Sequence, residues 1–218
     1  MVVDVGCGGG EFLRILRDHG AKSWRLVDVD ISEKAMEALR RLNIEGVRGR
    51  FEQLEWTLPN PDIIVMNQVI EHLDDPKTVV KRSFDLFSPG GVLMIETPSV
   101  DAWDARIFKR RHWGGWHTPR HWVLYTPAAL KRLVDQAGFE TVEITHLLSP
   151  NFWLQSVHHR LSEGGPIARK LARMFDVSNP LALPVAAFID VVQLQVTGKT
   201  SNFRLVARKP ANKAASGS

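Results

Sequence analysis

The sequence predicts an α/β fold: a doubly wound, mostly parallel sheet of seven strands, with a helical insertion before the last strand. Three observations predict it. Short apolar runs bounded by turn residues alternate with helix-period segments through residue 147. The first run, Met1-Val-Val-Asp-Val5, passes straight into Gly6-Cys-Gly-Gly-Gly10 and then into a helix. Glycines there let the backbone turn sharply and let a ligand lie against it without meeting a Cβ. Near the end of the chain, Phe203, Leu205 and Ala207 alternate with polar residues, which suits a closing antiparallel strand over Asn202–Arg208.

The remaining elements follow in order. Phe12, Leu13 and Leu16 share one face of a helix that ends near Gly20. Trp24–Val29 is the second strand, with acids Asp28 and Asp30 at its end. Ser32 is placed to cap a helix whose Ala35, Leu39 and Leu42 share a face. Ile44–Val47 and Pro61–Met66 are the third and fourth strands. Asp75-Pro76 then opens a helix with a capping carboxylate and a proline in the first turn. Ser88-Pro-Gly-Gly91 breaks that helix, and Val92–Glu96 is the fifth strand. Periodicity lapses from Thr97 to Tyr125. Thr126-Pro127 starts a helix (Leu130, Leu133, Val134, Ala137) that stops at Gly138, and Phe139–Leu147 is the sixth strand. Residues 150–196 read as helices broken by Gly164-Gly165, Pro180 and Pro184. The expected organisation is a core over 1–147 with a lid loop at 98–125, a helical cap at 148–196, a closing strand within 197–210, and a disordered tail at 211–218.

Composition bounds the function. At 218 residues and 44% hydrophobic content, the chain can bury one sizeable core. A formal charge of +4 admits an anionic substrate or surface but is far from a nucleic-acid-binding tail. Cys7 is the single cysteine, so an intrachain disulfide is excluded and a reducing, cytoplasmic compartment is expected. Within the glycine turn, Cys7 reads as a small residue that fits, not as a nucleophile. Met1 opens directly into the first strand, so no signal peptide is expected. The longest apolar run, Leu181–Ile189, falls far short of the ~20 residues that span a bilayer.

The spacing Gly6-x-Gly8-x-Gly10 departs from the dinucleotide fingerprint, since position 11 is Glu11, and this disfavours a nicotinamide cofactor. Asp4, two residues before the first glycine, instead favours a cationic ligand. The stretch resembles motif I of the class I S-adenosylmethionine (SAM) methyltransferases, whose cofactor carries an amino group and a sulfonium. That resemblance implies a Rossmann-like fold with SAM held by Asp4, Gly6, Cys7, Gly8 and Gly10. Family members usually carry a covering helix before this motif, and here it is missing. Asp30, in Val27-Asp-Val-Asp-Ile-Ser32, matches the family's ribose-binding acid by its register with Ile31 and Ser32; Asp28 is the alternative if the register shifts by two. After the third strand the family shows Gly-Asp, a variable residue and Glu. Here Gly49-Arg-Phe-Glu52 stands, so Arg50 replaces the acid; Phe51 reads either as packing on the adenine or as a core residue, with Glu52 and the backbone beside the base.

Asp62–Leu73, ending in Glu71-His72-Leu73, resembles the segment after strand four of small-molecule methyltransferases, which places Asn67 and Gln68 beside the methionine part of the cofactor. In related ubiquinone-pathway O-methyltransferases a Glu three residues before the Glu-His pair helps hold Mg²⁺. Here that position is Gln68, and one carboxylate with one histidine is thin for a hard cation, so no required metal is expected. Glu71 and His72 themselves read either as a stiffening of the turn or as catalytic. The Pro89-Gly-Gly turn and fifth strand complete the likeness, which continues through Phe139.

Five of seven tryptophans lie between 103 and 153, interleaved with arginines, lysines and histidines. This irregular segment is where a rigid sheet would place substrate chemistry. Its Trp113–Pro127 core resembles the Pro-Arg-His and Thr-Pro segment of SAM methyltransferases often encoded with cell-surface glycan pathways. His112, His117 and His121 cannot line one helix face, because Pro119 interrupts it. His117 or His121 is read as a general base for a hydroxyl acceptor, or as a residue that pins the lid. Arg120 can clamp a carboxylate or phosphate. The expected reaction is methyl transfer from SAM to a small or amphipathic acceptor, most readily at oxygen. The alternatives are a non-catalytic or degraded SAM-binding paralogue and, less favoured, a nucleic-acid methyltransferase, whose Asn-Pro-Pro-Tyr-like box is replaced by Asn67-Gln-Val-Ile70. Residues 150–196 read as a helical cap or as an apolar face for a membrane or a lipid-linked acceptor. The sequence leaves the oligomeric state open.

Overall fold

A computed structural model describes residues 1–108, 111–116 and 120–211. Its first half alternates strands and helices: β1 (Val2–Val5), α1 (Glu11–His19), β2 (Leu26–Asp30), α2 (Glu33–Leu42), β3 (Glu45–Arg48), β4 (Ile63–Asn67), α3 (Pro76–Leu86) and β5 (Val92–Pro98). These five strands pair in parallel. After β5 come α4 (Trp103–Ile107), α5 (Pro127–Gln136), β6 (Glu140–Leu147), α6 (Pro150–Ser162), α7 (Pro166–Ala172), α8 (Ala182–Thr197) and β7 (Asn202–Arg208). The seven strands form one sheet in the order β3-β2-β1-β4-β5-β7-β6. Gly90 N–H donates to Lys209 O and Lys209 N–H to Gly91 O at one end, and Ser99 N–H to Ser201 O at the other, so β7 runs antiparallel to β5.

The strands are apolar because both sheet faces are covered: Val3, Val27, Ile64, Leu93 and Ile95 are fully buried. On one face Leu13 of α1 joins Ala35, Met36 and Leu39 of α2, with Phe12, Leu16 and Leu42 packed beside them. These are the residues whose spacing set the two helix faces. Each fully buried leucine stabilises the fold by about 1.5–3 kcal/mol relative to exposure. Asp75 caps α3 as expected, its carboxylate accepting from Thr78 N–H at 3.2 Å.

Three local expectations are corrected. Ser32 occupies the cap position of α2, but its side chain makes no capping bond; its own N–H is taken by Asp30 at 2.8 Å. Pro184 lies inside the first turn of α8 and does not break it, because the first N–H groups of a helix have no intrahelical partner to lose. The segment 98–125 is not wholly irregular. It contains α4, whose Asp104 is buried and accepts from Trp113 Nε1 at 2.8 Å and from the Ser201 hydroxyl. A buried carboxylate with two donors fixes a short helix that periodicity alone does not announce.

The chain groups into two compact units. One comprises Met1–Glu96, Leu130–Glu143 and the residues from Leu205 on; the other comprises Thr97–Ala129 and Ile144–Arg204. Among the described residues, no helix is long and apolar enough to cross a membrane. The expected tail beyond residue 211 lies outside the described residues.

Candidate functional site: an acid-lined glycine turn

The strand order reverses between β1 and β4, and in open α/β sheets ligands bind at the carboxyl ends of the strands beside such a reversal. The glycine turn stands there. Gly6 N–H continues the ladder to Val29 O at 2.9 Å. Gly6 takes φ +78°, and a Cβ built on it would lie 2.8 Å from Val69 Cγ2, just after β4. Only glycine therefore lets the two turns touch. Gly8 also has positive φ, +57°, but a Cβ there would meet nothing within 4 Å. The outer limb of the turn borders open space, which is a cradle for a ligand.

Three acids surround this cradle. Asp4 and Asp28 are register partners on adjacent strands and are 2% and 0% exposed. Asp28 accepts from Cys7 N–H at 3.1 Å and so braces the turn from beneath. One oxygen of each carboxylate, Oδ1 of Asp4 and Oδ2 of Asp28, is buried with no hydrogen-bond partner. Burial first, and then the neighbouring Asp28 and Asp30, push the Asp4 carboxyl up to about 7. Burial likewise pushes Asp28 up to about 6, against the opposing pull of the Cys7 donors. These acids await a positive charge. Burial and the same acids push the Cys7 thiol far above its ordinary range, which suits a small filler and not a nucleophile.

Asp30, at the end of β2, is only half-buried. Its carboxylate accepts from Gly8 N–H at 3.3 Å and Ser32 N–H at 2.8 Å. It thus links the glycine turn to the start of α2 and still reaches the open side. Ile31 follows it, 68% exposed. Cys7, Asp28 and Asp30 bring ligand atoms within 4.8 Å of one another. A protonated thiol among hard carboxylates is a mismatched donor set for a metal ion.

Beyond β3, Gly49 N–H donates to Asp30 O at 3.0 Å, so Gly49–Glu52 starts next to Asp30. Phe51 is 3% exposed and meets Trp56 edge-on, so little of its ring remains for a base to stack on. Arg50 pairs with Glu52 and Asp74, each at 2.6 Å, and so fixes Glu52. Asn67 ends β4 opposite Glu96, and Gln68 turns away at φ +54° with its N–H on Glu96 O at 2.8 Å. A non-glycine residue at positive φ is uncommon and marks a backbone held for a purpose. Glu71 is fully buried in the short 3-10 turn Ile70–His72, and His72 is exposed.

In the second unit, His121 Nδ1–H donates to Gly115 O at 2.7 Å, which leaves Nε2 as the basic nitrogen of the neutral ring. His112 instead pairs with Glu163 at 2.9 Å, beside Arg111 on the same carboxylate. Arg120 is exposed. His117 lies outside the described residues. The sequence reading left Asp28 as a mere alternative to Asp30. The two acids have different places, one under the turn and one at its rim, and the signal was an acid within the buried alternation Val27-Asp-Val29.

Comparison with known proteins agrees with this geometry. A family model described as a methyltransferase domain matches residues 1–144. A ubiquinone biosynthesis O-methyltransferase of Idiomarina loihiensis is 30% identical over 159 residues, 67% of this chain and 64% of that protein. The chain thus spans somewhat less than two thirds of that relative's length. Among solved structures, a SAM-dependent methyltransferase from Archaeoglobus fulgidus shares the fold at TM-score 0.62 and 19% identity, over 95% of this chain and 85% of that one. A phosphoethanolamine N-methyltransferase 2 of Haemonchus contortus, in complex with SAM, does so at TM-score 0.61 and 16% identity, over 96% and 48%. The chain therefore belongs to the methyltransferase-domain family and has the fold of SAM-dependent methyltransferases.

Proposed function

We propose that the protein transfers the methyl group of SAM to a hydroxyl of a small, amphipathic acceptor. The observation that carries the cofactor half of this reading is the pair of buried carboxylates beneath a glycine cradle, each with an oxygen still lacking a donor. Asp4 would answer the cofactor's positive charge. Asp30 would accept from the ribose hydroxyls, and Ile31 offers an apolar surface beside it for the adenine, with Glu52 and the Gly49–Glu52 backbone reading the base edge. Asn67 and Gln68, in a backbone turn against the glycines, would hold the methionine part. SAM, when bound, supplies an electrophilic methyl on a sulfonium sulfur.

What remains for the chain is alignment and proton removal. A neutral hydroxyl loses its proton as its oxygen forms the new bond, so a base at the acceptor helps. His121 is assigned that role, its ring oriented by the Nδ1–H bond to Gly115 O. His117 shares the assignment, and Arg120 is assigned to an anionic group of the acceptor. Oxygen as the methylated atom is supported by the Idiomarina loihiensis relative, named for O-methylation. A single cysteine fits a reducing, cytoplasmic setting.

Calorimetry with SAM, followed by radiolabelled methyl transfer to a panel of catechols and carboxylated phenols, tests the reading. Micromolar binding with label in an O-methyl product is expected. No binding at millimolar SAM overturns it.

A further inference from the structure

The helix α8 is polar on the inside and apolar on the outside. Its buried residues are Ala186, Asp190 and Gln193. Asp190 is the single charge in the helix and accepts from Ser149 N–H at 2.6 Å. The outward stripe, at helical spacing, is Leu181, Val185, Phe188, Val192 and Val196, with Leu181 81% and Phe188 69% exposed. A globular helix places its apolar stripe toward the core. This one offers it to the surroundings, and such a surface marks an interaction site.

The preceding helix extends the same surface. Ile167, Leu171 and Met174, again at helical spacing, are exposed on α7 and the 3-10 turn Arg173–Phe175 that follows it. Met174, Leu181 and Val185 meet at one apolar cavity of about 270 Å³, floored by Trp153 and Leu154 of α6. The exposed stripe of α8 and Met174, which follows α7, therefore meet at one spot of the second unit. On the same segment Arg169, Lys170 and Arg173 are all exposed, Lys170 beside the stripe and the two arginines on the side away from it at helical spacing, and Lys170 and Arg173 make no ion pair among the described residues. Residues 164–175 carry no acid.

We propose that this face docks on a bilayer surface bearing anionic lipid, with α7 and α8 lying in the interface. The charge decides the occupant. A helix with cations on and beside its polar side and an apolar stripe on the other is the arrangement that lies in a bilayer interface, where anionic headgroups neutralise the cations and the acyl region accepts the stripe. The cavity, lined almost wholly by apolar side chains, suits a segment of lipid hydrocarbon. An acceptor drawn from the membrane would reach an amphipathic-substrate enzyme by this route. That consequence rests on the proposed function; the docking itself does not.

Flotation of the full chain with vesicles tests it, alongside SAM calorimetry and light-scattering mass measurement on the same samples. Flotation is expected with phosphatidylcholine containing phosphatidylglycerol at low salt, and its loss with phosphatidylcholine alone. Replacing Arg169, Lys170 and Arg173 together by Gln should weaken it about a hundredfold. Val185→Glu with Phe188→Glu should abolish it while SAM affinity stays unchanged, which separates loss of docking from loss of the site. Protein that binds SAM but does not float overturns the proposal. So does flotation that the Glu pair leaves intact, or a dimer that dissolves in the Glu pair without any lipid binding.

Discussion

Asp4→Asn is the perturbation that asks most of the site. In the ligand-free protein the Asp4 carboxyl is held at about 7 against an ordinary 3.8, chiefly by burial. That difference, about 3 units at 1.36 kcal/mol each, is about 4 kcal/mol of ionisation penalty carried by the folded state at high pH. The sign follows from where the proton sits. Below about pH 4 both folded and unfolded chains hold it. Between there and pH 7 the unfolded chain releases it and the folded chain does not, so stability falls as pH rises and levels off above 7. Asp28, raised to about 6, adds to the same slope, and the two titrate as a pair. Removing the Asp4 charge should therefore flatten much of the loss, and denaturant midpoints at pH 5, 6, 7 and 8 for both proteins measure it. A cationic ligand reverses the balance. SAM should bind wild type about tenfold more tightly at pH 8 than at pH 6, releasing a proton, whereas Asp4→Asn should bind weakly and without that slope. The reasoning fails if Asp4→Asn binds SAM like wild type with the same pH dependence. It fails equally if wild-type stability stays level from pH 5 to 7.

The other predictions separate support from contact. Gly6→Ala should cost about 2–3 kcal/mol in denaturant unfolding, from positive φ and the 2.8 Å approach to Val69. Gly8→Ala should cost only about 1 kcal/mol but weaken SAM more than about tenfold, since its Cβ enters the open cradle; equal effects on stability and binding would refute the distinction. Asp30→Asn should lower SAM affinity by at least about tenfold, because a carboxylate acceptor becomes an amide. Cys7 should resist iodoacetamide at pH 8 in the folded protein, and fast alkylation would contradict its raised thiol. His121→Gln should leave SAM calorimetry unchanged and lower methyl transfer by about a hundredfold, with less loss as pH rises toward the acceptor's own ionisation.

By itself, the sequence determined the fold class, the strand–turn–helix at Gly6–Gly10 and the helix faces of Leu13 and Leu39, because glycine conformation and apolar period are local properties. The same local signals named Asp4 and Asp30 as acids near a cofactor. The family register ranked Asp30 first and kept Asp28 as its fallback, but it could not give Asp28 its own place, since depth under a turn depends on which strands flank it: β1 and β3 bury Asp28, and its partner Cys7 lies twenty-one positions away. The sequence left Phe51 between packing on the adenine and lying in the core, and only the fold shows it buried against Trp56. Asp104 gave no signal at all, because its donors Trp113 and Ser201 are brought together only by folding. The polarity of α8 is the furthest from the sequence. Its apolar run left two readings open, a packed helical cap or an apolar face for a membrane or a lipid-linked acceptor. Only the packed structure turned Asp190 and Gln193 inward and left the leucine, valines and phenylalanine outside, because a helix face is buried by what folds against it and not by its own hydrophobicity.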